Sequence, residues 1–271
     1  MNRSRKIGNI GRYIFLSLAA LVSIFPFIWM IIGSTNTASD ITQGKLTFGT
    51  ELLNNFRKLN EMVSLGTSLK NSAIIAIVST LLLLLIASMA GYGFEIYRTK
   101  IKDKAYTLLL LTMMIPFAAI MIPLFRMFAE VKLIDSLLAV ILPTIATPFM
   151  VFFFRQNTKS FSRELIQAAR VDGLNEFQIF LYIYIPTMKS TYAAAGIIAF
   201  MTSWNNFLWP LIILQSEAKK TITLVISSLS SAYFPEYGVI MVAIVIATLP
   251  TILIFFLLQR YFVEGMLGSI K

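Results

Sequence analysis

The sequence contains no cysteine and no histidine. The first absence rules out disulfide frameworks, thiolate zinc sites and cysteine nucleophiles, and the second removes every triad that uses imidazole as its base. No G-x-x-x-x-G-K-[ST] run is present to cradle nucleotide phosphates, so the chain itself is not expected to hydrolyse ATP. Charge is scarce: Asp, Glu, Lys and Arg make up 13% of the 271 residues, against about 25% in ordinary soluble domains. The 9 prolines and 13 glycines are scattered, without a low-complexity run that would mark a linker or disordered tail.

Hydrophobic residues fill 57% of the chain. That composition predicts an all-α integral membrane protein, with residues 1–271 forming a single transmembrane domain. A spanning helix needs about 20 mostly apolar residues, and six segments qualify: 13–33, 71–92, 105–127, 137–154, 187–214 and 237–259. The first follows the basic stretch RSRKIGNIGR. Its apolar run is too long for a signal peptide and no small-residue cleavage site follows it, so it reads as a span.

Orientation follows from the basic residues. With the N-terminus inside, 15 of the 23 Lys and Arg fall on the cytoplasmic side and 8 outside, while the acids divide almost evenly. Both termini are then cytoplasmic. The net charge of +10 lies in short tracts beside apolar segments, which set orientation in a bilayer and give no reason to expect nucleic acid. The longest outer loop, 34–70, carries Leu52, Leu53, Phe56, Leu59, Met62 and Leu65 at nearly helical spacing, which predicts a short helix capping the outer surface.

One cytoplasmic passage, about 160–186, stands apart from its greasy neighbours. Ser162 is placed to cap a short helix containing Glu164, Leu165, Gln167, Ala168, Ala169 and Arg170, which breaks at Asp172 and ends at Gly173, a residue free to adopt positive φ. Asn175 with Gln178 three residues on has the form of a capping box for a second helix, in which Phe177, Phe180 and Leu181 share a face. Pro186 marks the entry to the fifth span. This helix-turn-helix is longer than the connection of about 2 to 8 residues that usually joins two helices. Two readings fit it: the small surface of Ala168 and Ala169 receives another protein, or the hairpin packs on its own cytoplasmic face.

The run QAARVDGLNEFQIFLYIYIP resembles the loop of inner-membrane permease subunits of binding-protein-dependent ABC importers, whose pattern is Glu-Ala-Ala, three residues, Gly, nine residues, Ile, any residue, Leu-Pro. Gln167-Ala168-Ala169, Gly173, Ile183 and Pro186 fall at those spacings, with Gln167 in place of Glu and Ile185 in place of Leu. Gln167 keeps hydrogen-bonding capacity but has no charge for a salt bridge, which Glu164 one turn earlier is placed to supply. Asn71-Ser72, Ala90-Gly91-Tyr92-Gly93-Phe94 with Tyr97-Arg98, Ile115-Pro116 with Ile122-Pro123-Leu124, the run Trp204 to Pro210, and the tail from Arg260 to Gly265 extend the resemblance to the maltose-type (MalG-like) sugar permease branch.

The resemblance implies a type I ABC importer permease fold in the cytoplasmic (inner) membrane, surrounded by lipid. It implies that Glu164, Gln167, Ala168, Ala169, Asp172, Gly173 and Pro186 couple the chain to ATPase subunits, with residues 261–271 also approaching them. The partners implied are a second, MalF-like permease, two ATP-binding cassette ATPases and an extracytoplasmic sugar-binding protein. ATP and Mg belong to the ATPases, and no cofactor is expected on this chain. The cargo implied is a carbohydrate, an oligosaccharide above all, with another small polar solute as the alternative.

Trp204, Asn205 and Asn206, late in the fifth span, are pathway candidates, because amides inside a membrane seek a partner or a watery cavity and indoles suit the CH faces of sugars. The competing reading is an interfacial aromatic belt containing Trp209, with Asn capping the helix end near Pro210. Pro116, Pro123, Pro143 and Pro148 interrupt the third and fourth spans as gate elements or static kinks, and Arg126 and Glu130 are placed to form an exposed pair. An autonomous secondary transporter would need intramembrane charges for ion coupling, which the spans almost wholly lack. A membrane-embedded hydrolase would need a Ser-Lys or paired-Asp site that no span supplies.

Overall fold

The structure is a computed structural model that describes the backbone of residues 3–268 and the side chains of residues 11–260. Among the described residues it is entirely helical: α1 (Arg3–Ser34), α2 (Ala38–Thr42), α3 (Leu52–Met62), α4 (Leu65–Ile96), α5 (Lys100–Leu111), α6 (Phe117–Glu130), α7 (Leu137–Ile141), α8 (Pro148–Thr158), α9 (Arg163–Val171), α10 (Glu176–Ile179), α11 (Ile185–Thr187), α12 (Lys189–Trp204), α13 (Leu208–Ile213), α14 (Ile222–Ser230) and α15 (Tyr237–Gly268), with short 3-10 and π turns between some of them. Four stretches are candidate spans without a sharp bend, Gly11–Ser34, Leu65–Ile96, Lys189–Ile213 and Tyr237–Arg260. Two bent pairs bring the number to six if each pair is one span.

The third and fourth spans depart from the continuous helices expected. Lys100–Met114 and Phe117–Glu130 meet at 100°, and Leu137–Thr144 and Pro148–Thr158 at 41°. Pro116 caps α6 in extended backbone and Pro148 opens α8. A proline has no N–H to give the preceding turn and its ring clashes with the carbonyl four residues back, so each break sits where the ladder cannot be continued. The fifth span is interrupted at 205–207, between α12 and α13. Pro210 would clash there with the carbonyl of Asn206, which instead turns aside and accepts from Thr223 Oγ1 at 3.1 Å.

The described chain divides into two compact units, one of residues up to Leu65 with Val225–Leu249 and one of Gly66–Leu224 with Pro250 onward. In the first, the expected surface helix is α3, but only Asn55 and Leu59 of it are buried, and Leu53, Phe56 and Met62 face outward. Asn55 Nδ2 donates to the carbonyls of Ser34 and Asn36, each at 3.0 Å, so a buried amide satisfies the chain end left by α1. A Cβ on Gly238 would lie 2.6 Å from the Asn36 carbonyl, so α15 can approach this knot only as glycine. The unexpected α2 begins with a capping box between Thr37 and Asp40. The Thr37 hydroxyl and the Lys45 ammonium hold the Asp40 carboxyl below its usual range.

In the second unit α4 passes three hydrophobic clusters in turn. Ile75 joins Phe128, Val140 and Trp209; Leu83 and Ala87 join Met150, Phe154 and Ala199; Tyr92 joins Phe161, Ile179 and Tyr184. Gly91 lets α4 and α8 touch, since a Cβ there would lie 2.7 Å from both Arg155 N and Phe154 Cβ. Trp209 is a core residue and not part of an aromatic belt: it is fully buried and its indole N–H donates to the Ala139 carbonyl at 2.8 Å. Asn71 Nδ2 donates to the carbonyls of Ala218 and Lys220, and Ser72 Oγ accepts from Ile222 N, so this pair fastens the segment before α14. The expected Arg126–Glu130 pair is not among the ion pairs of the described residues; both side chains are exposed, where such a contact is worth little against side-chain entropy.

Candidate functional site

The passage 160–186 folds as the helix-turn-helix its spacing predicts. The first helix, α9, closes in a Schellman turn: Leu174 N donates to Ala169 O at 3.0 Å and Gly173 N to Arg170 O at 3.1 Å, with Gly173 at φ +84°. Asn175 and Gln178 form the capping box, each side chain 2.9 Å from the other's backbone N–H. After α10 the backbone widens into a π turn, Phe180–Tyr184, ahead of Pro186 in α11. Such a turn accommodates a proline, because the wider ring moves the preceding carbonyls away from it.

Three local expectations are corrected. Ser162 occupies the cap position of α9, but its hydroxyl lies 2.6 Å from Glu164 Oε2 and makes no backbone cap bond. Ala169 is buried with Ile166 one turn before it, so only Ala168 of the alanine pair is outward. Phe177 is exposed, while Ile179 and Phe180 take the inner face.

The inner face packs on Tyr92 of α4 and on Phe161, and Tyr184 reaches Thr158 with the two hydroxyl oxygens 2.7 Å apart. Burial pushes the Tyr184 phenol up to about 12, with the Thr158 contact partly opposing it, so the phenol keeps its proton. Glu176 clasps the two halves. Its carboxylate accepts from Arg170 of α9 at 2.8 Å and from the Tyr97 hydroxyl just beyond α4. The Tyr97 hydroxyl first, and the Arg170 guanidinium with it, hold the Glu176 carboxyl below its usual range although burial pushes it up. On the opposite face Leu165, Val171 and Phe177 are exposed, together with Glu164, Gln167, Ala168, Asp172 and Gly173.

Sequence reasoning missed a charged cluster behind this loop. Arg155, expected in a connecting loop, is buried in α8, where it meets Glu95 at 3.3 Å, Asp103 at 2.7 Å and the face of the Tyr106 ring at 3.9 Å. Of the pathway candidates, Trp204 is buried and stacked on Phe200 at 5.7 Å. Asn205 turns its amide back to Met201 O at 2.9 Å as a helix-end cap, and Asn206 lines a cavity. The side chains of the tail 261–271 lie outside the described residues.

With that geometry in hand, residues 83–268 match the family described as binding-protein-dependent transport system inner membrane component. The chain belongs to this family. It is 56% identical over 267 residues to the lactose transport system permease protein LacG of Rhizobium radiobacter, covering 98% of both chains. It is 36% identical over 269 residues to the arabinooligosaccharides transport system permease protein AraQ of Bacillus subtilis, covering 97% of this chain and 96% of that one. Its fold matches a chain in the crystal structure of a bacterial ABC transporter involved in the import of the acidic polysaccharide alginate, at a TM-score of 0.82 and 22% identity, covering 97% and 99% of the two chains. The all-α membrane protein expected from composition and the permease fold implied by the resemblance therefore hold. The family also makes the chain a component of a binding-protein-dependent transport system.

Proposed function

We propose that the chain is the membrane-spanning subunit of an ATP-driven importer for a neutral carbohydrate, an oligosaccharide of about disaccharide size. The observation that carries this is the 56% identity to a lactose permease over 98% of both chains, twice the 27% it shares with glycerol-3-phosphate permeases such as UgpE of Pectobacterium atrosepticum. The chain forms the translocation pathway with a second, MalF-like permease, receives sugar from an extracytoplasmic binding protein, and has both termini in the cytoplasm. Two ATPase subunits carry ATP and Mg, and one of them docks on the exposed side of α9. There Ala168 allows close approach, Leu165, Val171 and Phe177 offer apolar area, and Glu164 with Gln167 and Asp172 offer polar contacts. Gly173 and Pro186 set the angle between this surface and the fifth span, and the whole chain acts as one permease domain.

Deleting the gene and measuring uptake of radiolabelled lactose, arabino-oligosaccharides and glycerol-3-phosphate tests the reading. Loss of a sugar uptake, restored by the gene, supports it. Intact sugar uptake with loss of the phosphate ester would overturn it in favour of another polar solute.

A further inference from the structure

The cavity that Asn206 lines has a volume of about 380 Å³, within the range of about 300–1,000 Å³ typical of small-molecule sites. All three interrupted spans bring their breaks to it. Phe117 is the first residue after the 100° bend, Thr144 and Thr147 flank the 41° bend, and Asn206 lies in the gap between α12 and α13. Irregular backbone at membrane depth is tolerated only where protein buries it or where it borders a watery space, and broken helices of transporters commonly border the solute's position.

The lining has the chemistry of a neutral polyol. Thr144 and Ser79 place their hydroxyl oxygens 3.1 Å apart on the wall. Ser203 Oγ is buried without a hydrogen-bond partner, a cost that a ligand hydroxyl would relieve. No lining residue is charged, so nothing there balances a phosphate or carboxylate. Aromatic rings complete it: Phe117 and Phe149 line the cavity and are exposed, and the buried Trp209 backs Phe117 edge-on at 6.0 Å. Rings for CH faces and a few hydroxyls and amides for the polar edge form a weak, sliding contact, suited to a solute that must leave again.

We infer that this cavity is a sugar-contacting station on the translocation pathway, in which Thr144, Thr147, Ser203 and Asn206 exchange hydrogen bonds with the sugar as it passes the rings of Phe117 and Phe149. The inference rests on the carbohydrate reading above and adds residues of this chain that touch the cargo.

Because the chain has no native cysteine, Thr147→Cys gives a single reporter in the assembled importer. The complex is reconstituted in proteoliposomes with lactose-loaded binding protein, and the cysteine is labelled with a charged, water-soluble thiosulfonate. Lactose with ATP is expected to slow labelling severalfold relative to ATP alone. Asn206→Leu, which removes the amide, is expected to lower lactose transport at saturating binding protein roughly fivefold, the worth of about one hydrogen bond. If lactose is transported but labelling of Thr147→Cys is unaffected by it, or if only membrane-permeant maleimides react, the cavity is a lipid-facing groove and the inference fails. If the complex moves none of the sugars tested, the carbohydrate reading itself has failed.

Discussion

Arg155 supports a prediction of unequal effects. Its side chain is 6% exposed and that of Glu95 10%, so the pair is close to fully desolvated and solvent screening discounts its energetics little. Arg155→Met keeps most of the stem volume but strands the Glu95 carboxylate without a counter-ion; removing one partner of a buried pair costs about 3–5 kcal/mol. Glu95→Gln should be far milder. The guanidinium keeps Asp103 at 2.7 Å and the Tyr106 ring, and the amide oxygen still accepts, so the loss is about 1 kcal/mol. The double variant removes the stranded charge and should be more stable than Arg155→Met alone, the sign of coupling a double-mutant cycle reads. At about 2–4 °C per kcal/mol for a chain of this size, the expected order of melting temperature in detergent is wild type, Glu95→Gln, the double variant, then Arg155→Met about 6–20 °C below wild type. Equal losses for the two single variants, or a double variant that melts lowest, would refute the buried-pair argument.

The two glycines flanking Tyr92 should respond with opposite signs. Gly91→Ala forces α4 and α8 apart and costs about 1–3 kcal/mol of overpacking, whereas Gly93, with nothing within 4 Å of its would-be Cβ, gains up to about 1 kcal/mol of helix propensity as alanine; thermal melts of the two variants check this. Gly173→Val meets φ +84°, a conformation that costs an L-residue about 1–2 kcal/mol, so it should displace α9 from α10 and release ATP hydrolysis from transport; normal sugar uptake per ATP would exclude a hinge there. The Glu176 clasp gives a pH dependence. Because its folded-state value is depressed, its stabilisation is present above the ordinary carboxylate value and is lost as pH falls through the lower folded value. Melting temperature should therefore fall on the acid side, with Glu176→Gln lacking that part of the fall.

Much of this was legible because it is local. The capping box at Asn175 and Gln178 and the left-handed Gly173 depend on residues a few positions apart, and each appears where the spacing places it. The burial of Ala169 also has a local signal, since Ile166 stands three residues before it and the apolar face of a short helix follows that spacing. Arg155 directly follows the apolar run that ends at 154, so the local pattern places it in a loop, while the partners that bury it lie 60 and 52 positions away in the sequence. Pro116 marked a break but not a 100° bend, whose size is set by packing among α6, α7 and α13 around Trp209. Likewise, nothing in the local pattern distinguishes Asn206, which reaches the cavity, from Asn205, which caps a helix.

The most direct test of the central claim is a mild-detergent purification of the tagged chain from its native membrane, with mass identification of the co-purifying subunits and ATP hydrolysis measured on the product. The account predicts a second permease, an ATPase and a sugar-binding protein, with hydrolysis stimulated when the binding protein carries its sugar. Recovery of this chain alone, still transporting solute without an ATPase, would contradict it and reduce the helix-turn-helix of 160–186 to a hairpin packed on its own face.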